Sequence, residues 1–318
     1  MNMDSVESGV LQFIMHIRNE MQTYPDFDAA PLEDQRAIVE RIRKKWSQGG
    51  PRMRSTRNMT FDGSDHSLGI RIHYPEGESD HAAALIYIHG GGFTLFSNNT
   101  HDRLMREYAA LGGFAVIGVD YPLSPEAKYP AALNAITELM LWLQSNAQSW
   151  GIDPARIAIG GDSAGGNLSF AVLMRLRDMD KHQIIRAILS NYGGFSPSIS
   201  DASESRFGGP NSIMDRNEAE HYWRNYLRSQ KDEVDPFAVP LLADLAGFPP
   251  VFLVIPELDL VAEHSFEMYD RLKAAGITAD YKVYAGATHS FLEAMSVSDL
   301  ARQGISDGAA FIKAHICG

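Results

Sequence analysis

The stretch Arg156-Ile-Ala-Ile-Gly-Gly161-Asp162-Ser163-Ala164-Gly165-Gly166-Asn-Leu-Ser-Phe-Ala-Val-Leu-Met174 decides the fold. Residues 156–159 read as a short strand. From about 163 to 177 the chain is rich in Ala, Leu and Met and reads as a helix. Between them lies Gly161-Asp162-Ser163-Ala164-Gly165, a Gly-x-Ser-x-Gly turn in the strand-to-helix context of a nucleophile elbow. Side chains two positions either side of the serine would clash in so tight a turn, which accounts for Gly161 and Gly165. A serine at a helix N-terminus meets the dipole and free N–H groups that favour developing negative charge. The competing reading is a glycine-rich phosphate loop. No Lys follows, and the spacing fits neither a P-loop nor a dinucleotide fingerprint.

Outward from this turn, short strands alternate with longer helices. Strands are predicted over 70–74, 82–88, 115–119, 184–190, 251–255 and 280–284. Helices are predicted over 102–111, 130–148, 262–274 and 297–315. Such alternation predicts an α/β protein with a mainly parallel sheet covered on both faces. The continuous apolar run 82–88 suits a strand buried on both sides. Two regions break the pattern. The first 46 residues read as two helices, one carrying Val10, Phe13, Ile14, Ile17 and Met21 at helical spacing, the other over 32–46, stopped by Gly49-Gly50-Pro51. The stretch 195–248 is polar, with a helix near 216–228. The chain therefore divides into an N-terminal cap segment (1–50), a cap insertion (195–248), and a domain of 51–194 with 249–318 that holds Ser163.

His89-Gly90-Gly91-Gly92-Phe93 directly follows the 82–88 run. Three glycines after a buried strand let the backbone turn and aim N–H groups at a ligand. Acyl transfer needs such donors for the oxyanion of its tetrahedral intermediate, and losing one costs on the order of 100-fold in rate. Gly91 and Gly92 are assigned that role, with the N–H of Ala164. His89 and Gly90 read as support for the loop. A serine nucleophile also needs a base, and the base an orienting acid, in the chain order Ser, Asp or Glu, His. Asp259, four residues past the 251–255 strand, and His289, five past the strand ending at 284, lie beyond strand C-terminal ends, where open α/β sheets place their sites. Glu257 and His264 compete with them. Glu257 reads as a neighbouring structural or pocket acid, His264 as a surface or helix-packing residue.

The full sequence has 318 residues, 45% hydrophobic and 21% charged, which excludes a mainly disordered chain. Its longest apolar runs fall far short of the ~20 residues a membrane span needs. Residues Met1 to Gly9 carry acids and lack a basic, then apolar, leader pattern, which argues against a signal peptide and for the cytosol. Cys317 is the single cysteine, so neither an intrachain disulfide nor a Cys-based metal site is expected. No His-Glu-x-x-His or comparable set points to a metal. A net charge of −12 without a basic stripe excludes nucleic acid as a partner. The short cluster Arg41, Arg43, Lys44, Lys45 reads as a solvated helix face.

His89-Gly-Gly-Gly-Phe93, Asp120-Tyr121-Pro-Leu123-Ser-Pro125-Glu126 followed by Pro130-Ala131, and Gly161-Asp-Ser-Ala-Gly-Gly166 together resemble the hormone-sensitive-lipase family of α/β-hydrolases. Thr100-His-Asp-Arg-Leu-Met105 is similar to the bacterial acetyl esterases within it. The resemblance covers roughly 80–315. It implies the α/β-hydrolase fold, a mainly parallel eight-stranded sheet with helices on both faces and a helical cap built from the N-terminus and an insertion after the sixth strand. It implies a serine carboxylesterase acting on small-molecule esters with short acyl chains, about two to six carbons, without a cofactor, and it supports Ser163, Asp259 and His289 as the triad. Here Asp259 is followed by Leu-Val-Ala262-Glu263 rather than the family's Pro-Leu and Asp-Glu, and Ser290 replaces a glycine. Tyr121, Pro125 and Glu126 read as structural, with prolines and a buried acid fixing the loop. An amide, lactone or carbamate hydrolase would use the same triad, whereas a non-catalytic ligand-binding relative would lack one member. Relatives are often dimers, so a homodimer is expected. Phe93, Phe195, Phe207, Tyr222 and Trp223 are candidate pocket residues, each also explicable as packing.

Overall fold

A computed structural model describes residues 3–77, 81–209 and 212–317. The parts of the predicted segments at 1–2, 78–80, 210–211 and 318 lie outside the described residues. Two helices, α1 (Ser8–Met21) and α2 (Leu32–Ser47), precede the sheet. There follow β1 (Ser55–Asp62), β2 (Ser67–Tyr74), β3 (Ala82–Ile88), α3 (Asp102–Gly112), β4 (Ala115–Asp120), α4 (Ala131–Asn146), β5 (Ile152–Asp162), α5 (Ala164–Asp178) and β6 (Ile185–Asn191). The polar stretch then forms α6 (Asp201–Phe207) and α7 (Arg216–Tyr226). Alternation resumes with β7 (Val251–Leu258), α8 (Ala262–Ala274), β8 (Ala279–Thr288) and α9 (Asp299–Ile316).

The eight strands form one sheet in the order β1-β2-β4-β3-β5-β6-β7-β8. From β4 to β8 every neighbouring pair is parallel, while β2 runs antiparallel to both β1 and β4. Alternate residues of a strand face opposite sides. In β3, Ala82, Ala84, Ile86 and Ile88 join a core with Leu139 of α4, Leu168 of α5 and Met268 of α8. Ala83, Leu85 and Tyr87 join a second core with Phe13 of α1, Tyr108 of α3 and Ile305 of α9. Both faces are buried, so the strand needs no polar residue, as its sequence predicts.

Three differences from the predicted elements have local causes. β1 escapes the apolar-run reading because it is an edge strand with mostly solvent-facing side chains. The last helix starts later than predicted, at Asp299, because Ser298 caps it by accepting from the Ala301 N–H at 3.1 Å. β7 and β8 run on past Pro256 and Gly286, through a register shift that still pairs Leu258 with Thr288. Asp259 and His289 are therefore not four and five residues beyond their strands. Each is the first residue after its strand, on adjacent strand ends.

Candidate active site

Ser163 sits between β5 and α5 with φ 52° and ψ −115°, a conformation that costs a non-glycine residue roughly 1–3 kcal/mol. The surroundings hold it there. Its N–H donates to the Asn191 carbonyl at 2.9 Å, and its carbonyl accepts from the N–H groups of Gly194 and Asn167, each at 3.2 Å. A Cβ on Gly161 would stand 2.1 Å from the Ile88 carbonyl oxygen, and one on Gly165 1.8 Å from the same atom. The elbow is thus pressed against the end of β3, and only glycine permits that approach.

The residues after β3 form the loop that faces Ser163. Gly91 and Gly92 have φ of 100° and 59°, which suit glycine. Their carbonyls are engaged, Gly91's by the N–H groups of Thr94 and Leu95 and Gly92's by the Thr94 hydroxyl. Both glycines line the cavity over Ser163. Ala164 opens α5, so its N–H has no acceptor within the helix. His89 is buried behind the loop, Nδ1 bonded to the Gly90 carbonyl at 2.8 Å and its ring stacked on Tyr121 at 4.5 Å. Burial and the neighbouring cationic His101 push it down to about 4, so it is neutral near pH 7. Tyr121 donates its hydroxyl to the His89 carbonyl at 3.0 Å, bracing the same loop.

Asp162 also lines the cavity, and its buried carboxylate accepts from Tyr87 at 2.9 Å and from His101 Nε2 at 3.3 Å. Burial alone would raise its carboxyl, but the His101 charge and these hydrogen bonds hold it below the usual range. His101 in turn is raised, the Asp162 charge outweighing desolvation.

His289 Nε2 lies 2.9 Å from Ser163 Oγ, and His289 Nδ1 lies 2.8 Å from Asp259 Oδ2. A carboxylate only accepts, so Nδ1 carries the proton and Nε2 is free to accept from the serine. Asp259 is 1% exposed and His289 7%. The second Asp259 oxygen accepts from the Val261 N–H at 3.1 Å. Burial lowers the His289 pKa, but the Asp259 charge and hydrogen bond outweigh it, and the imidazole is raised above 6.5.

The competitors lie elsewhere. Glu257 accepts from the Gly286 N–H at 2.9 Å, and buried His264 donates Nε2 to the Ser198 carbonyl at 2.7 Å. Two readings need correction. Glu126 is not a buried acid: its side chain is 59% exposed, and it holds the loop through Arg36, which also donates to the carbonyls of Thr94 and Ser124. Arg43 does not belong to a solvated face. It is buried, paired with Glu293, between the rings of Phe13 and Phe96, and it lines the cavity. The signal was available, because Val39, Ile42, Arg43 and Trp46 share one helical face.

Of the aromatic candidates, Tyr222 alone lines this cavity. Phe93 stacks on Tyr226 at 3.7 Å, Trp223 packs edge-on to Phe93, Phe195 packs on Phe170, and Phe207 lies under Arg206. Glu218, one turn before Tyr222, was not singled out by sequence and also faces the cavity. It is exposed, yet desolvation of its charge pushes it up to about 7. Among the described residues no His, Cys, Asp and Glu cluster could hold a metal ion, and no helix is long and apolar enough to cross a membrane.

The alpha/beta hydrolase fold family model matches residues 85–293. An acetyl esterase of Salmonella paratyphi B is 33% identical over 291 residues, spanning 90% of this chain and 88% of that protein. Among solved structures, LAE6, an alpha/beta hydrolase enzyme from the metagenome of Lake Arreo, is 27% identical with a TM-score of 0.92, covering 99% of this chain and 100% of its own. The hyperthermophilic esterase of the archaeon Pyrobaculum calidifontis is 28% identical with a TM-score of 0.86, covering 94% of this chain and 96% of its own. The sheet order, the strand-end placement of Asp259 and His289 and these similarities converge: the chain belongs to the hormone-sensitive-lipase-like family of α/β-hydrolases.

Proposed function

We propose that this chain, a carboxylic ester hydrolase by family and relatives, cleaves short-chain acyl esters through an acyl-enzyme on Ser163. The observation that carries the reading is the hydrogen-bonded line Ser163–His289–Asp259, at 2.9 and 2.8 Å, beneath a cavity of about 60 Å³ shared with Gly91 and Gly92. In this mechanism His289 Nε2 takes the Ser163 proton as Oγ bonds to the ester carbonyl carbon. The N–H groups of Gly91, Gly92 and Ala164 stabilise the oxyanion. His289 then gives the proton to the leaving alcohol as the ester C–O bond breaks. A water, deprotonated by His289, attacks the acyl-enzyme, and Ser163 recovers its proton as the acid departs. Asp259 fixes the imidazole tautomer and stabilises the imidazolium. Water is the only co-reactant.

The small cavity favours short acyl groups, within about two to six carbons, because a narrow pocket discriminates by added methylenes. In this reading 1–50 and 195–248 form the cap, and 51–194 with 249–318 the catalytic domain. Arg43, Glu218 and Tyr222, from α2 and α7, supply its support by roofing the cavity over Ser163. A homodimer completes the proposal, on the family resemblance alone.

The test is hydrolysis of p-nitrophenyl esters from C2 to C12 by wild type and by Ser163→Ala. Turnover highest at short chains and abolished by Ser163→Ala is the expected result. A wild type inert across the series would overturn the reading.

A further inference from the structure

Two cavities share one pair of side chains. The chamber of about 60 Å³ holds Ser163, Gly91, Gly92 and His289. A second cavity of about 510 Å³, lined by Phe27, Gln35, Leu95 and His221, lies against the same helix α7. Glu218 and Tyr222 line both. They are one helical turn apart, and the Tyr222 hydroxyl donates to Glu218 Oε1 at 2.8 Å, which holds the pair as one partition. The Tyr222 ring packs on Gly92 so closely that a Cβ there would stand 2.2 Å from its Cγ.

Which substrate group meets this partition follows from the chemistry. The carbonyl oxygen occupies the donors of Gly91, Gly92 and Ala164. The leaving alcohol must lie toward His289 Nε2, which protonates it. The acyl chain is the remaining substituent of the carbonyl carbon, directed away from His289, and Tyr222 is among the side chains of the cavity left to meet it. We propose that Tyr222 closes the acyl end of the chamber and so sets the acyl length accepted, with the 510 Å³ cavity as the space behind it. The inference rests on the esterase reading of Ser163.

The experiment measures kcat/KM for two series, p-nitrophenyl acyl esters from acetate to decanoate and acetates of alcohols from ethanol to octanol. Wild type, Tyr222→Ala and Tyr222→Phe are compared, with folding checked by circular dichroism. Tyr222→Ala should raise the octanoate-to-acetate ratio by about tenfold or more, since each added methylene accommodated is worth several-fold. Its ratios within the alcohol series should not move, and Tyr222→Phe, which keeps the ring, should keep the wild-type length preference. If Tyr222→Ala does not fold, Tyr222→Leu poses the same question with a smaller truncation. An unchanged acyl profile in the folded variant, or a shift confined to the alcohol series, overturns the inference while leaving the esterase reading intact. A wild type that turns over no ester overturns both.

Discussion

Replacing Asp259 by Asn tests the reading of the site at its most constrained contact. The carboxylate lies 2.8 Å from His289 Nδ1, and both groups are buried. In the transition state of the proposed mechanism His289 becomes an imidazolium with its charge centred roughly 4 Å from that of the carboxylate. At an effective dielectric of about 20, two unit charges that far apart attract by about 4 kcal/mol, or three decades in rate. The substitution has a further cost. An Asn amide can donate to Nδ1, which would move the ring proton to Nε2 and leave no acceptor for the Ser163 proton. The expected fall in kcat is therefore about 10³-fold or more, with KM little changed, because Asp259 does not line the cavity. The pH profile supplies a sign. Asp259 holds His289 above 6.5, and activity needs the neutral ring, so kcat/KM of wild type falls as pH drops through that raised value. Without the carboxylate, burial is opposed only by the lesser Asp162 and Glu218 charges, and the acid limb of the residual activity moves to lower pH. The assay is p-nitrophenyl acetate hydrolysis from pH 5 to 9. An Asp259→Asn enzyme within tenfold of wild type, or with its acid limb unmoved or raised, would refute the argument.

Two further substitutions probe strain and burial. Ser163→Gly should abolish turnover yet melt at or above the wild-type temperature: relief of the strained φ and ψ is worth about 1–3 kcal/mol, against about 0.4–1 kcal/mol of added chain entropy. A lower melting temperature would show that the turn is not strained. Arg43→Met leaves Glu293 buried without its partner and should cost about 3–5 kcal/mol in urea unfolding, most of it recovered when Glu293→Gln is added. Equal losses in the single and double variants would mean that the ion pair is not the source.

The elbow and the glycine loop are legible in the sequence because their demands are local. Gly161, Ser163 and Gly165 satisfy a steric requirement within one turn, and a buried strand such as 82–88 announces itself by lacking polar residues. Asp259 and His289 are legible as candidates for a different reason: few acids and histidines follow a strand end in the right chain order. What the sequence conceals is tertiary. Pairing of Leu258 with Thr288, across a register shift, brings the two residues together, and no local pattern encodes that pairing. The same holds for Arg43. Its helical face is apparent, but whether that face meets water or Phe13, Phe96 and Glu293 depends on elements up to 250 residues away in sequence. Glu126 errs in the opposite direction, since Arg36 from α2 can hold an exposed acid as firmly as burial would.

The precision of the proposed site comes from one backbone atom shared by its two parts. The Ile88 carbonyl ends β3, the strand from which the Gly91–Gly92 loop emerges, and it is also the atom against which Gly161 and Gly165 of the elbow rest. The proposed nucleophile and oxyanion donors are thus referenced to the same point rather than carried on separately placed elements. A methyl group at either glycine would have to displace that carbonyl by more than 1 Å to reach an ordinary contact distance, and the donors move with the strand end. Misplacement on that scale costs about 100-fold in rate. The glycines at 161 and 165 therefore do more than permit a tight turn. In the proposed mechanism they set the distance between the attacking Ser163 oxygen and the groups that stabilise the charge it creates, a distance that Tyr222 on α7 can restrict access to but cannot alter.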